Sequence, residues 1–424
     1  MGYEMIQTSL GDFIDFRNGK SSPDRTPEGE FDVFGSNGVI GRCAEKNTSE
    51  FSLIIGRVGS YCGSVYQSKK ACWVTDNAII GALRNKDESN FWYFLLTRLD
   101  INAMSSGSGQ PLINQKILNN IQVRVPLSST TRIDIGNYLS LFNEKVKVND
   151  EINQTLEQMA QALFKSWFVD FEPVKAKMAV LESGGSQADA TLAAMSAISG
   201  KDTDALEVFE REHPEQYAEL KATAELFPSA MQDSELGDIP EGWYLQRFSN
   251  IATLHYGKAL KKTERIEGPY SVYGSGGITG SHNSYLVEGP GIIVGRKGSI
   301  GTLYWEDGKF HPIDTVYYVE NKEGVPLTYL YYLMGTLNLS SMNTDAAVPG
   351  LNRDNVYRLE TINPEIAILN EFNNHVSALR NMIQRNKSST ETLTQLRDTL
   401  LPKLLSGEIT LPDAEQAVSE VANV

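Results

Sequence analysis

Two short segments hold the residues best placed to do chemistry: Gly56-Arg57-Val58-Gly59-Ser60 and Gly295-Arg296-Lys297-Gly298-Ser299. Their glycines permit positive φ and close backbone approach, so each arginine projects from a tight turn. A guanidinium held this way can reach a phosphate, or pair bidentately with guanine in a major groove. It can equally anchor its turn to a nearby carboxylate, Asp76 for Arg57 and Asp314 for Arg296. Both readings stand at this point. Further cations surround these turns in the sequence. The first set is Arg17, Lys20, Arg25, Lys69 and Lys70; the second is Lys258, Lys261, Lys262, Arg265 and Lys297. They could form basic faces or a solvated mixed-charge surface. The polar loops at 105–114 (SSGSGQPLIN) and 343–352 (NTDAAVPGLN) offer hydroxyls and amides able to read base edges, or are simply turns.

Catalytic signatures are missing. VYGSGGITG at 272–280 misses a dinucleotide-binding glycine pattern by one residue, and GRKGS at 295–299 is no phosphate loop. The five histidines are scattered, and no nucleophile elbow occurs. The amino-methyltransferase tetrapeptide is absent; its nearest string, Asn363-Pro364-Glu365-Ile366, lacks the aromatic. Asp76 and Asp314 could be paired acids, but a matched Asp at a strand end more often serves a turn. The three cysteines, Cys43, Cys62 and Cys72, have neither disulfide nor zinc spacing and suit a reducing cytoplasm. No apolar run approaches a membrane span, and the start does not read as a signal peptide.

The elements that must position these residues come in two copies. Residues 33–41 (VFGSNGVIG) and 53–60 (LIIGRVGS) return 239 positions later as VYGSGGITG and IIVGRKGS. Asp76, Pro111, Asn114 and Pro126 return at an offset of 238. Each copy begins with β-type residues between Gly, Ser and Asn turns, then a short helix, Asn90 to Leu99 or Leu327 to Leu337. Alternating strands and helices imply a compact α/β unit of about 120 residues. Each copy ends in a long helix. Ile133 to about Phe168 contains no Pro and a single Gly.

Apolar residues recur at 3–4 spacing along both helices: Leu139, Phe142, Val146, Leu156 and Leu163 in the first, Val376, Leu379, Ile383, Leu393 and Leu400 in the second. Asn149 and Asn386 are polar at the same seam position, a register-setting pattern of coiled coils. Two such helices should pair, with a length of roughly 54 Å for 36 residues. The alternative is an amphipathic helix lying on each domain separately. The expected fold is thus an α/β (α+β) two-fold internal repeat, with two globular domains separated by two long helices. Its boundaries are 1–130 and 241–364 for the domains and 131–175 and 365–410 for the helices. An acidic helical insertion covers 176–240 and a tail 411–424. Within the insertion, Leu192 to Ile198 and Asp204 to Glu212 read as short helices, and Pro214 suits the first turn of a third.

The chain carries −15 net charge, which at first argues against nucleic acid. The charge is uneven. Residues 131–240 have 9 basic and 20 acidic groups, whereas residues 1–130 have 13 of each and 241–364 have 11 and 12. The two globular segments are near neutral and can each gather a basic face.

Three long strings resemble the specificity (S) subunit of type I restriction–modification enzymes. INQTLEQMAQALFKSWFVDFEPVKAKM at 152–178 is similar to its central conserved region, ELGDIPEGWYLQRF at 235–248 to the entry of its second target-recognition domain, and LRDTLLPKLLSGEI at 396–409 to its distal conserved region. The resemblance spans essentially the whole chain. It implies two target-recognition domains on an antiparallel coiled coil, each domain reading half of a bipartite, asymmetric site in double-stranded DNA. It implies two methyltransferase subunits and two restriction subunits as partners, no membrane, and no cofactor on this chain, with S-adenosylmethionine, ATP and Mg²⁺ on the partners. Under it, the candidate DNA contacts are the cations above with Ser36, Asn37, Ser60, Ser106, Ser108, Gln110 and Asn114 in the first domain. In the second they include Ser275, Ser299, Asn343, Asn352 and Arg353. The insertion around 182–222 is longer than the family leads one to expect.

Overall fold

The computed structural model describes residues 2–105, 111–322, 324–343 and 350–422. The chain forms two compact units, 1–151 with 386–424, and 152–385. Each therefore takes part of both long helices, Ser129–Phe168 and Ile366–Ser406.

In the first unit a four-stranded antiparallel sheet runs in the order Ile14–Asn18, Ala78–Leu83, Ser52–Gly56, Val65–Ser68. A three-stranded sheet beside it has Phe31–Gly35 in the centre, antiparallel to Gly38–Cys43 and parallel to Trp73–Val74. Strand Ser52–Gly56 is buried throughout, and its two faces serve different cores. Leu53 and Ile55 pack with Phe91, Trp92, Leu139 and Phe142 on the helical side. Ile54 packs with Phe34, Val74 and Ile80 towards the three-stranded sheet. This is period-two alternation in a strand covered on both faces. Helix Ser89–Arg98 lies against the long helix at Gly136, the one glycine in that helix. A Cβ there would stand 2.4 Å from the Phe91 nitrogen, so no larger residue fits.

The second unit repeats this plan. Its sheets are Ala252–Tyr256, Val316–Asn321, Gly291–Gly295, Leu303–Glu306, and Gly277–His282, Tyr270–Gly274, Phe310–Pro312. Ile292 and Val294 face the helical core, while Ile293 faces Tyr273 and Phe310. Helix Leu327–Thr336 closes on the long helices through an aromatic cluster of Phe164, Phe168, Tyr329, Tyr332 and Phe372.

Within each unit the long helices run antiparallel. In the first, Asn149 meets Asn386 and Thr390 while Asn143 meets Arg397. In the second, Phe164 meets Phe372 while Glu157 meets Arg380. All twelve seam positions are buried or half-buried.

Both long helices end earlier than expected, the second at Ser406 instead of 410. The first long helix ends at Phe168, not 175. Phe171 adopts φ 55°, and Pro173 opens a separate helix, Glu172–Glu182. A left-handed residue followed by proline ends a helix because neither continues its hydrogen-bond ladder. The segment expected as a tail forms a helix, Leu411–Ala422, whose start is tied to Tyr3: the Leu411 nitrogen donates to the Tyr3 hydroxyl at 2.7 Å. The insertion continues with helices Gln187–Ser199, Thr203–Glu212 and Pro214–Leu226 around a small core of Ala194, Met195, Leu206 and Ala224. Gly200, at φ 68°, ends the first of these.

Candidate nucleic-acid interface

Both arginine turns have the same construction. Arg57 donates through Nη1 to the carbonyl of Asp76 at 3.2 Å, and Arg296 to that of Asp314 at 2.9 Å. Each arginine thus anchors its turn on the backbone carbonyl of the aspartate rather than on the expected carboxylate. The Arg57 nitrogen bonds to the Asn77 carbonyl and the Arg296 nitrogen to that of Thr315, both at 2.9 Å. The turn carbonyls then accept from Ile113 at 3.0 Å and Leu351 at 2.8 Å, which draws in the base of each polar loop. Bridges Val58–Leu112 and Lys297–Gly350 extend these contacts.

The hairpin tips reach the same place. In the first copy, a Cβ on Gly56 would come within 2.9 Å of the Ser36 carbonyl. In the second, the Ser275 carbonyl accepts from Thr302 at 2.8 Å and Tyr304 at 3.1 Å. Asn114 and Asn352 cap the helices Gln115–Asn120 and Arg353–Tyr357, accepting from the nitrogens of Ile117 and Asp354. Asn343 accepts from the Gly350 nitrogen at 3.1 Å. Lys20 and Lys258 lie beside the aspartate segments, their nitrogens bonding to the carbonyls of Val74 at 3.0 Å and Pro312 at 2.9 Å. Each domain thus collects a hairpin tip, an arginine turn, a lysine and a loop base. Asn37, Ser60, Lys297 and Ser299 are exposed around it.

Other candidates serve elsewhere. Arg25 and Arg265 brace their hairpins through Nη1, on the Ile40 carbonyl at 2.9 Å and the Thr279 carbonyl at 2.7 Å. Arg17 binds the Asn47 carbonyl at 2.6 Å. Lys69 and Lys70 follow Ser68, which pairs with Ser52, whereas the Arg57 turn follows the opposite strand end, where Ile55 pairs with Val65. Antiparallel pairing puts them at the far edge of the sheet, and Lys69 bonds to Glu144 of the long helix at 2.7 Å. Lys261 and Lys262 are exposed on a short turn, with Lys261 3.7 Å from Glu264. Ser106, Ser108 and Gln110 lie outside the described residues.

The second domain holds residues that the sequence reading passed over. The Arg296 guanidinium lies 4.7 Å from the Tyr256 ring centre and 5.7 Å from that of Tyr317. Arg353 lies 5.1 Å from the same Tyr256 ring. Burial raises the Tyr317 hydroxyl above its ordinary range, with Tyr256 adding to the shift and Arg296 opposing it. The signal was a difference between the copies: Tyr256 pairs with Tyr317 where Asn18 pairs with Ile79 in the first. Under the hairpins the copies differ again. Cys43 and Trp73 are replaced by His282 and His311, two buried imidazoles with ring centres 5.7 Å apart. Burial lowers the His311 pKa, with His282 and Lys258 adding to the shift and backbone groups opposing it.

Among the described residues no cluster of three or more His, Cys, Asp or Glu could hold a metal ion, and no helix is long and apolar enough to cross a membrane.

The model of the type I restriction modification DNA specificity domain matches the chain twice, over residues 4–158 and 240–398. The specificity subunit of the type I restriction enzyme HindI from Haemophilus influenzae is 30% identical over 337 residues, covering 72% of this chain and 73% of that one. That of MjaIX from Methanocaldococcus jannaschii is 21% identical over 340 residues, covering 72% and 65%. The crystal structure of a type I restriction–modification S subunit from M. genitalium shares the fold, with TM-score 0.59 at 18% identity over 95% of this chain and 96% of that one.

Proposed function

The chain belongs to the type I restriction–modification DNA specificity family, and we propose that its two domains each read one half of a bipartite, asymmetric DNA site through the major groove. As a specificity subunit it is the non-catalytic member of its enzyme. The observation that carries the finer reading is the duplicated arginine turn. Arg57 and Arg296 are held identically on the carbonyls of Asp76 and Asp314, yet their surroundings differ. A common scaffold with different contact groups suits two half-sites of different sequence. In this reading the paired helices set the distance and rotational phase between the half-sites. They also recruit two methyltransferase subunits and, through them, two restriction subunits. S-adenosylmethionine, ATP and Mg²⁺ act on those partners, in the cytoplasm.

Selection of random duplexes by the chain complexed with its methyltransferase tests this. A split motif with one gap length is expected. A continuous motif would overturn the bipartite reading, and salt-insensitive protein binding without DNA binding would favour a protein-binding scaffold.

A further inference from the structure

We propose that the second domain contains a phosphodiester-binding pair, Arg296 and Arg353 packed on Tyr256, that the first domain lacks; this rests on the DNA-reading role above. Both guanidiniums lie close to one half-exposed ring, at 4.7 and 5.1 Å from its centre. Among the described residues neither has a carboxylate within ion-pair distance. Two like charges on a shared ring repel, and the ring's quadrupole offsets only part of that repulsion. An anion relieves the rest. On DNA the phosphate is the group with a formal negative charge, whereas base edges present neutral acceptors.

The donors are held in place and not fully used. The Arg353 Nη1 reaches the Leu254 carbonyl at only 3.4 Å, a weak bond that leaves the guanidinium able to donate to a better partner. Arg353 also lies 5.7 Å from the Tyr357 ring, and Arg296 is tied to the Asp314 carbonyl. Fixing these long side chains before contact lowers the ordering cost of binding.

The first domain shows what the pair replaces. Gln115 opens the capped helix where Arg353 does, and Asn18 stands at the strand end where Tyr256 does. Arg57 remains, and among the described residues no aromatic ring lies within cation–π distance of it. The two domains therefore contribute unequally to the salt dependence of binding.

The test uses the complex with methyltransferase subunits, titrated with salt on duplexes carrying its selected motif. Arg353→Gln and Tyr256→Asn install the first domain's own residues, and the melting temperature checks folding. Losing one phosphate contact should make the log–log salt slope shallower by about 0.9. Affinity should fall equally for matched duplexes and for duplexes altered in the second half-site. Uncharged methylphosphonate linkages along that half-site should abolish the difference between wild type and variant. An unchanged slope in a folded variant overturns the phosphate pair. A loss confined to one base pair overturns it in favour of a base contact. Failure of the wild-type complex to bind any duplex refutes the DNA-reading function itself.

Discussion

Asn149 and Asn386 meet inside the helix pair although 237 residues separate them. Asn149 is 2% exposed, and its amide donates to the Asn386 carbonyl at 3.4 Å and the Thr390 hydroxyl at 3.2 Å. A buried amide in a seam lined by Phe142, Val146 and Leu393 costs stability but selects one register. Asn149→Leu should raise the melting temperature by about 2–4 °C, the equivalent of about 1 kcal/mol in a unit of this size. It should also broaden the distribution of half-site gaps. A lower melting temperature would show that the amide's bonds outweigh its desolvation.

Glu88 and Arg132 form a buried ion pair with side chains 3% and 5% exposed. Arg132 donates to both carboxylate oxygens, at 2.9 and 2.8 Å, and to the carbonyls of Pro126 and Leu127. Ser129 and Trp92 donate to the same carboxylate. Arg132→Met leaves an uncompensated charge and should cost about 3–5 kcal/mol by chemical denaturation. Glu88→Gln with Arg132→Met should recover part of it. Burial alone would raise the Glu88 pKa, but Arg132, Ser129 and Trp92 bring it below the ordinary range. The pair's contribution is therefore full above the unfolded carboxyl value, about 4.3, and lost as pH falls through the lower folded value. Acid denaturation of wild type and double variant, compared between pH 7 and 3, measures this; parallel curves would refute it.

The His282–His311 pair should make the second domain acid-sensitive. With the His311 pKa lowered in the folded state, the unfolded chain binds the proton first. Stability is full above about pH 6.5 and declines as pH falls below it towards the folded value. His282 and Lys258 lie beside the ring and add to that lowering, while the backbone groups of Lys258 and Ser284 oppose it. Amide protection factors across Tyr270–His282, which correct for the intrinsic slowing of exchange in acid, should fall between pH 7 and 5.5. His282→Cys with His311→Trp, the first domain's residues, should remove that fall. An equal fall in both proteins would place the sensitivity elsewhere.

Much of this was legible in the sequence. Repeats, glycine turns and seam spacing are local patterns, and they pointed to the duplicated arginine turns and the paired helices. What escaped depends on contacts distant in the chain. Tyr256 lies 40 residues from Arg296 and 97 from Arg353, and only sheet pairing places it between them. Lys69 and Lys70 counted as basic residues, but strand direction carries them away from Arg57. The break at Phe171 escaped because a non-glycine residue in left-handed geometry has no strong local signature.

The helix pair can be tested as a ruler. One heptad inserted in each long helix, beside Asn149 and Asn386, keeps the seam in register because the apolar pattern repeats every seven residues. It lengthens each helix by about 10.5 Å. At about 3.4 Å per base pair, the preferred gap should grow by about three base pairs. Three base pairs also turn DNA by roughly 100°, since a helical turn takes about 10.5. The heptad itself turns the helix face by only about 20°. The domains then meet grooves at an altered angle, so binding to the lengthened site should be weaker than wild type on its own. Selection of duplexes with gaps varied one base pair at a time gives both readouts. A longer gap with reduced affinity supports a rigid spacer. A longer gap at full affinity would show that the domains swivel on their helices, and an unchanged gap would show that the helices do not set the distance.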